Sequence, residues 1–241
     1  MLSYLLHLSL CWGLFALLYH ALLRRETLFG ANRGYLLATA LAGLLLPVLN
    51  QAFPVLNAAS ESLAFALPVV TIDLEQAVQQ SALWTGAGYM KWVYFAGGLL
   101  TAVRLFWGLG KISAMLAGAR REYLPGGSVL VRTEKARLPF SFFRWIFAPP
   151  DFGARASDRD MLAHEQAHVQ AWHSLDVLLL EILCVVFWFH PLAHWYRRSL
   201  RTVHEYQADA AAAAHTSRKQ YGLLLLEQVQ TGLPVAFVNH F

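Results

Sequence analysis

Apolar positions in this chain fall in long uninterrupted runs, not in the three-to-four spacing of a soluble amphipathic helix. The run LSYLLHLSLCWGLFALLYHALL, residues 2–23, contains no charged side chain. Comparable runs cover about 35–53 and 92–109, the latter with the single charge Arg104. A helix needs about 20 apolar residues to cross the hydrocarbon core of a bilayer, so three transmembrane helices are expected. Pro47 should bend the far end of the second, and Arg104 sits near the end of the third, where it can snorkel. A cleavable secretory signal carries its positive charge before the apolar stretch and a small-residue site after it. Here Arg24 and Arg25 follow the stretch, and it reads as an uncleaved anchor.

Beyond residue 110 the pattern changes. A short helix is expected over 111–122, then a turn at Pro125-Gly126-Gly127, then two β-like runs, SVLVR (128–132) and FSFFRWIFA (140–148), the second closed by Pro149-Pro150. The second run alternates poorly for a strand with one wet face. Asp158 is placed to cap a following helix, and a further apolar run spans 175–196. The alanine run at 210–214 favours helix.

Composition agrees with a membrane protein. Of the 241 residues, 57% are hydrophobic and 14% charged, against about 25% charged in soluble domains, and the mean hydropathy is +0.42. The net charge of +4 is spread in short basic segments beside the apolar runs. That is a topology signal, and no nucleic-acid-binding motif accompanies it, so no direct nucleic-acid partner is expected. Arg24, Arg25 and Arg33 lie between spans one and two, Glu61, Asp73 and Glu75 between two and three, and Lys111, Arg120 and Arg121 after the third. Since Lys and Arg mark the cytoplasmic side, the N-terminus and a loop at about 54–88 are expected outside, and 110–173 inside. Cys11 and Cys184 lie within apolar runs and read as small packing residues.

The chemistry concentrates in AHEQAHVQAWHSLD, residues 163–176. Positions i and i+4 share one helix face, so His164 and His168 can hold one metal ion between them while Glu165 projects beside them as a general base. This is the HExxH arrangement of zinc peptidases. A catalytic zinc needs a third protein ligand and an open position. HEYQAD, residues 204–209, offers Glu205 as that ligand and Asp209 as an acceptor that orients a ligating histidine, although spacing alone leaves Glu205 equally readable as a solvated carboxylate. Seven of the ten histidines fall between 164 and 215. His173 and His204 flank the two motifs as candidates for substrate or oxyanion contact, and Asp176 as either a histidine partner or a helix cap.

If the run 175–196 crossed the bilayer once, Glu205 would emerge on the wrong side. A break at His190-Pro191, with proline in the first turn of a returning helix, gives arms of about 30 Å and about 22 Å at 1.5 Å per residue. A helical hairpin at about 174–203 therefore returns both motifs to the cytoplasmic surface, with a break near Ser174 able to absorb the mismatch. Glu181, inside the apolar arm, needs a partner at that depth.

These segments together resemble the BlaR/MecR family of membrane zinc metallopeptidases, some of whose members sense β-lactam antibiotics. The resemblance rests on three spans ahead of a zinc segment, LPFSFFRWIFAPP (138–150), HEQAH (164–168), WFHP (188–191) and HEYQAD (204–209). It implies one zinc ion per chain held by His164, His168 and Glu205, with Glu165 as catalytic base. The fold it implies is mainly α: a transmembrane bundle over 1–110, and over 111–241 an integrated gluzincin-like cytoplasmic peptidase domain with a small β element. It further implies an inner-membrane signalling protease that cleaves a protein, either a transcriptional repressor or the receptor itself. Receptors of this type continue into a further span and an external sensor, whereas this sequence stops at Phe241, so antibiotic sensing is not carried over. Two other classes fit fewer residues: a non-catalytic zinc-containing sensor or scaffold, and a haem carrier using His7, His20, His190 and His194.

Overall fold

The computed structural model describes residues 2–52, 84–155 and 157–215. Among the described residues three helices are long and apolar enough to cross a membrane, and the bent pair Ser157–Gln170 and His173–Val186 passes the same test when taken together. The first, α1 (Leu2–Leu18), continues through a π-helical turn at Tyr19–Leu23; α2 spans Phe29–Ala52 and α3 spans Trp84–Leu116. Their outer faces carry leucines and aromatics, such as Leu10 at 71% and Leu100 at 72% exposure. Such apolar outer faces suit contact with lipid.

α2 starts six residues before the expected span and continues through Pro47. The 54–88 loop lies mostly outside the described residues, and its last residues already belong to α3. At 33 residues, α3 is about 50 Å long, longer than the bilayer core. Its end absorbs the start of the segment expected as a separate helix over 111–122. Gly118, at φ 74°, then turns the chain, and residues Arg120–Tyr123 form a strand, β1.

The β element is a four-stranded sheet: β1, β2 (Val129–Arg132), β3 (Phe140–Phe142) and β4 (Trp145–Ala148), in the order β1-β2-β4-β3. β2 and β4 run parallel and the other pairs antiparallel. The run FSFFRWIFA is thus a hairpin and not one strand, turned at Phe143 with φ 51°. Its weak alternation has a physical cause, because the central strands β2 and β4 are covered on both faces. Val129, Val131 and Phe147 pack on Ile112, Met115 and Leu116 at the end of α3. Leu130, Ile146 and Ala148 pack on the other side against Met161, Leu162 and Val169. Burial on both faces selects apolar residues at every position.

Three helices complete the chain: α4 (Ser157–Gln170), α5 (His173–Val186) and α6 (Pro191–His215). Asp158 lies inside the first turn of α4, where its Oδ2 accepts from the Gly153 and Arg155 backbone N–H groups of the preceding loop. Between α4 and α5 the axis bends by 62°. Trp172 makes the break in a left-handed conformation, φ 57°, which a bulky residue rarely adopts. The break falls one or two residues before the expected one at Ser174.

α5 descends, the chain turns over 187–190, and α6 returns from Pro191. The turn reaches far into the bundle. His190 Nε2 lies 3.0 Å from Ser9 Oγ on α1, and Trp188 Nε1 donates to the Tyr94 carbonyl on α3 at 3.1 Å. The hairpin packs on the first two spans through Leu8, Trp12, Leu36 and Ala40 from one side and Leu183, Tyr196 and Leu200 from the other. Close approach depends on small residues, as is usual between helices in lipid: Gly43 faces the Trp12 indole, and Gly97 faces Trp188. Cys184 is buried in this core and Cys11 half-buried, both as free thiols. Glu181, 8% exposed, has its partners in Arg197 at 2.9 Å and Arg201 at 2.6 Å on the returning arm.

Candidate metal centre

α4 places His164 and His168 one turn apart on the face turned toward α6, and α6 brings Glu205 against them. The two Nε2 atoms are 3.1 Å apart. Glu205 Oε2 is 3.5 Å from His164 Nε2, and its Oε1 is 3.8 Å from His168 Nε2. These atoms form a group that can hold a metal ion. Four ligand atoms arranged tetrahedrally at about 2.0–2.1 Å from zinc lie about 3.3 Å from one another, and the three observed separations bracket that value. The donor set, two imidazoles and a carboxylate, is of the kind zinc takes in catalytic sites. The residues present therefore fit the ion.

Behind each histidine stands an acceptor. His164 Nδ1 is 3.1 Å from Asp209 Oδ1, one helical turn beyond Glu205. His168 Nδ1 is 2.7 Å from His173 Nδ1, whose Nε2 is 2.9 Å from Gln207 Oε1. If a metal ion took both Nε2 atoms, the Nδ1–H groups would donate outward, from His164 to Asp209 and from His168 to His173, and His173 Nε2–H would donate to Gln207. Both nitrogens of His173 are within hydrogen-bond distance of a partner, His168 on one side and Gln207 on the other, and the residue also lines the cavity that contains Glu165. His204 stacks on His173 with centroids 3.9 Å apart, and its Nε2–H donates to Asp176 Oδ2 at 2.9 Å. Asp176 lies in the first turn of α5, so it is both a helix-start carboxylate and a histidine partner.

Glu165 is 3% exposed and accepts hydrogen bonds from the hydroxyl and the backbone N–H of Ser141 on β3. Burial pushes its carboxyl up to about 7, against the opposing pull of His164 and Ser141. His168 is held down to about 2 by burial and by the neighbouring His164, His173 and His204. It is neutral, as a metal ligand must be. Burial also works to lower His164, but its hydrogen bonds to Asp209 and Glu205 and the nearby carboxylate charges outweigh that and carry it to about 10. Its proton is the one a metal ion would displace.

Residues 139–239 match the family model described as BlaR1 peptidase M56. This part of the chain is similar to the M56 peptidase family. The match begins just ahead of β3 and takes in both zinc-type motifs and the hairpin between them. No curated protein matches the chain.

Three residues around the candidate site carry no signal in the sequence motifs. Ser141 precedes the zinc-type motif by 23 residues and is placed by the β3–β4 hairpin. Gln207 lies within HEYQAD but matters only because α6 turns it toward His173. Arg33, counted above as a topology charge, donates from α2 to Asp176 at 2.6 Å. The histidines of the haem alternative do not converge. His7 is bonded to the Ser3 carbonyl, His20 lies against Arg24, His190 against Ser9, and His194 against the Trp188 carbonyl.

Proposed function

We propose that this chain is a membrane-embedded zinc endopeptidase that hydrolyses peptide bonds of a protein substrate at the cytoplasmic face. The observation that carries the reading is the convergence of His164, His168 and Glu205 around one point, with Glu165 beside it in the same cavity. Structural zinc sites are closed by four protein ligands, whereas catalytic ones keep a position open. Three ligands and an adjacent carboxylate favour catalysis over the zinc-stabilised scaffold. The ligand set, two histidines from one helix and a glutamate from a later one, is that of a gluzincin.

In this reading the ion supplies Lewis acidity, bringing the pKa of water down to near 7 and polarising the scissile carbonyl. Glu165 takes the proton of the attacking water and delivers it to the leaving amine. Its raised pKa matches that exchange near neutral pH, and Ser141 keeps the carboxylate aimed. Asp209 and the His173–Gln207 pair hold the two imidazoles in orientation and tautomer. β3 is an edge of the sheet next to this centre, the place where an extended substrate can add as a strand.

The cytoplasmic assignment follows the positive-inside rule, and the site's neighbours support it. Arg33 and Phe29, at the start of α2 beside the basic 24–33 segment, touch Asp176 and Tyr206 of the metal-centre helices. The metal centre and the basic loop thus share one end of the bundle, which for a bacterial protein faces the cytoplasm from the inner membrane. A signalling protease of this build would act on a transcriptional repressor or on its own chain. The test is peptide-bond cleavage by the purified, zinc-loaded protein in detergent, compared with Glu165→Gln. The wild type should cleave and the variant should be at least about a hundredfold slower, and equal rates would remove Glu165 from the mechanism.

A further inference from the structure

The two histidines of the candidate metal centre are backed differently. His164 Nδ1 faces a carboxylate oxygen, Asp209 Oδ1, at 3.1 Å. His168 Nδ1 faces another imidazole, His173 Nδ1, at 2.7 Å. An imidazole nitrogen accepts a hydrogen bond only in the tautomer that carries its proton on the other nitrogen, and a neutral ring has no carboxylate charge with which to hold its partner. His173 must therefore be fixed in tautomer and in plane before it can fix His168. Gln207 Oε1, 2.9 Å from His173 Nε2, accepts a proton there and so selects the tautomer. The plane is held by His204, whose ring lies nearly parallel to His173, with centroids 3.9 Å apart and 12° between the planes.

His204 is held in turn by Asp176, whose Oδ2 is 2.9 Å from its Nε2. The same oxygen accepts from Arg33 Nε at 2.6 Å. His173, His204 and Asp176 are all buried, so water does not readily replace these partners. Arg33 belongs to α2, which packs on α1 and α6 through Leu36 and Ala40 and lies outside the residues 139–239 that match the M56 family model. A carboxylate thus stands behind His168 as it does behind His164, but two rings further back, and a membrane-type helix anchors it. We propose that Arg33 is a positioning residue for the metal centre, holding Asp176 and through it the stacked His204–His173 pair that orients His168. α2 is then part of the site as well as a span. Groups that orient a ligating imidazole set metal affinity as well as rate, so the effect is readable at the metal itself. The proposal rests on the zinc peptidase reading above, and its experiment separates the two.

The full-length protein is prepared in uncharged detergent as wild type, Arg33→Gln, Arg33→Lys, Asp176→Asn, the Arg33→Gln/Asp176→Asn double variant and Gly43→Ala. Zinc affinity is read by competition with a chelator, and cobalt(II) loaded in place of zinc reports the ligand geometry through its visible absorption. Gly43→Ala is the structural control, since it crowds the same helix against Trp12, ten residues along from Arg33. Arg33→Gln should weaken zinc binding about fivefold and alter the cobalt spectrum. Arg33→Lys keeps a positive charge beside Asp176 and should recover most of that loss. In the Asp176→Asn background the Arg33 change should have no further effect, because both act along one line of contacts. Gly43→Ala should lower the unfolding midpoint and leave both metal readouts at their wild-type values. Wild-type zinc affinity in Arg33→Gln would overturn the proposal, as would an equal loss in Gly43→Ala or full additivity of the two single variants. Cleavage is measured separately on the same preparations. The predicted metal effects in a wild type that cleaves no peptide would sink the peptidase reading and keep the positioning role, whereas a wild type that binds neither metal would overturn both.

Discussion

Arg33 Nε donates to Asp176 Oδ2 across 2.6 Å, tying the second span to the first turn of the membrane hairpin. The same carboxylate oxygen accepts from His204, His204 stacks on His173, and His173 meets His168. A chain of contacts thus joins α2 to the imidazole of His168 in the candidate metal centre. Breaking a buried ion pair by removing one partner costs about 3–5 kcal/mol, and the partial exposure of the Arg33 side chain, 24%, reduces that. Asp176→Asn is expected to destabilise the protein by about 2–3 kcal/mol in detergent unfolding, and Arg33→Gln by less. A wild-type unfolding midpoint in Asp176→Asn would show that the link is not structural.

Asp209 meets His164 on the Nδ1 side, away from the Nε2 that faces the candidate metal position, and its side chain is more than a third exposed. Asp209→Asn should leave the fold intact and weaken zinc binding about 10–100-fold, as read by competition with a chelator. Unchanged affinity would mean that His164 is oriented by other contacts.

Metal binding should depend on pH through His164. Its folded, metal-free pKa is raised to about 10, so at neutral pH the ring is protonated and the ion must displace that proton. Apparent zinc affinity should fall about tenfold for each unit the pH is lowered below that value. Comparison at pH 6.5 and 8.5, corrected for the chelator's own protonation, checks the sign, and equal affinities would contradict it.

Gly43 leaves no room for a methyl against Trp12. That ring is fully buried and donates to the Ala40 carbonyl at 3.1 Å, so it cannot swing away cheaply. Gly43→Ala should cost about 1–3 kcal/mol by overpacking, visible as a lower unfolding midpoint with zinc content unchanged. No shift would mean that α1 and α2 can separate freely.

The spans and the pairing of His164 with His168 were legible because each is written in local spacing, whereas the spacing of Glu205 fits a solvated carboxylate equally well. A charge-free run of bilayer length and histidines four apart on a helix need no tertiary knowledge. The hairpin was legible by necessity, since Glu205 could reach His164 only if the chain turned back at His190-Pro191. What escaped depends on packing. FSFFRWIFA reads as one strand because burial on both faces removes the alternation that would reveal its turn, and only the left-handed Phe143 shows it. The helix expected over 111–122 is divided between α3 and β1, because Gly118 and not the basic segment sets the end. Ser141 and Arg33 have no motif around them. They become parts of the site only when β3 and α2 are packed against α4 and α5.

The most direct test of the central claim is zinc content per chain in wild type, Glu205→Ala and Glu165→Gln, purified in parallel and measured by elemental analysis. Wild type and Glu165→Gln should each hold about one zinc, and Glu205→Ala should lose it, because removing one of three ligands opens the site. A Glu205→Ala protein that still holds a full zinc equivalent would contradict the account, since the hairpin would then not be closing the site.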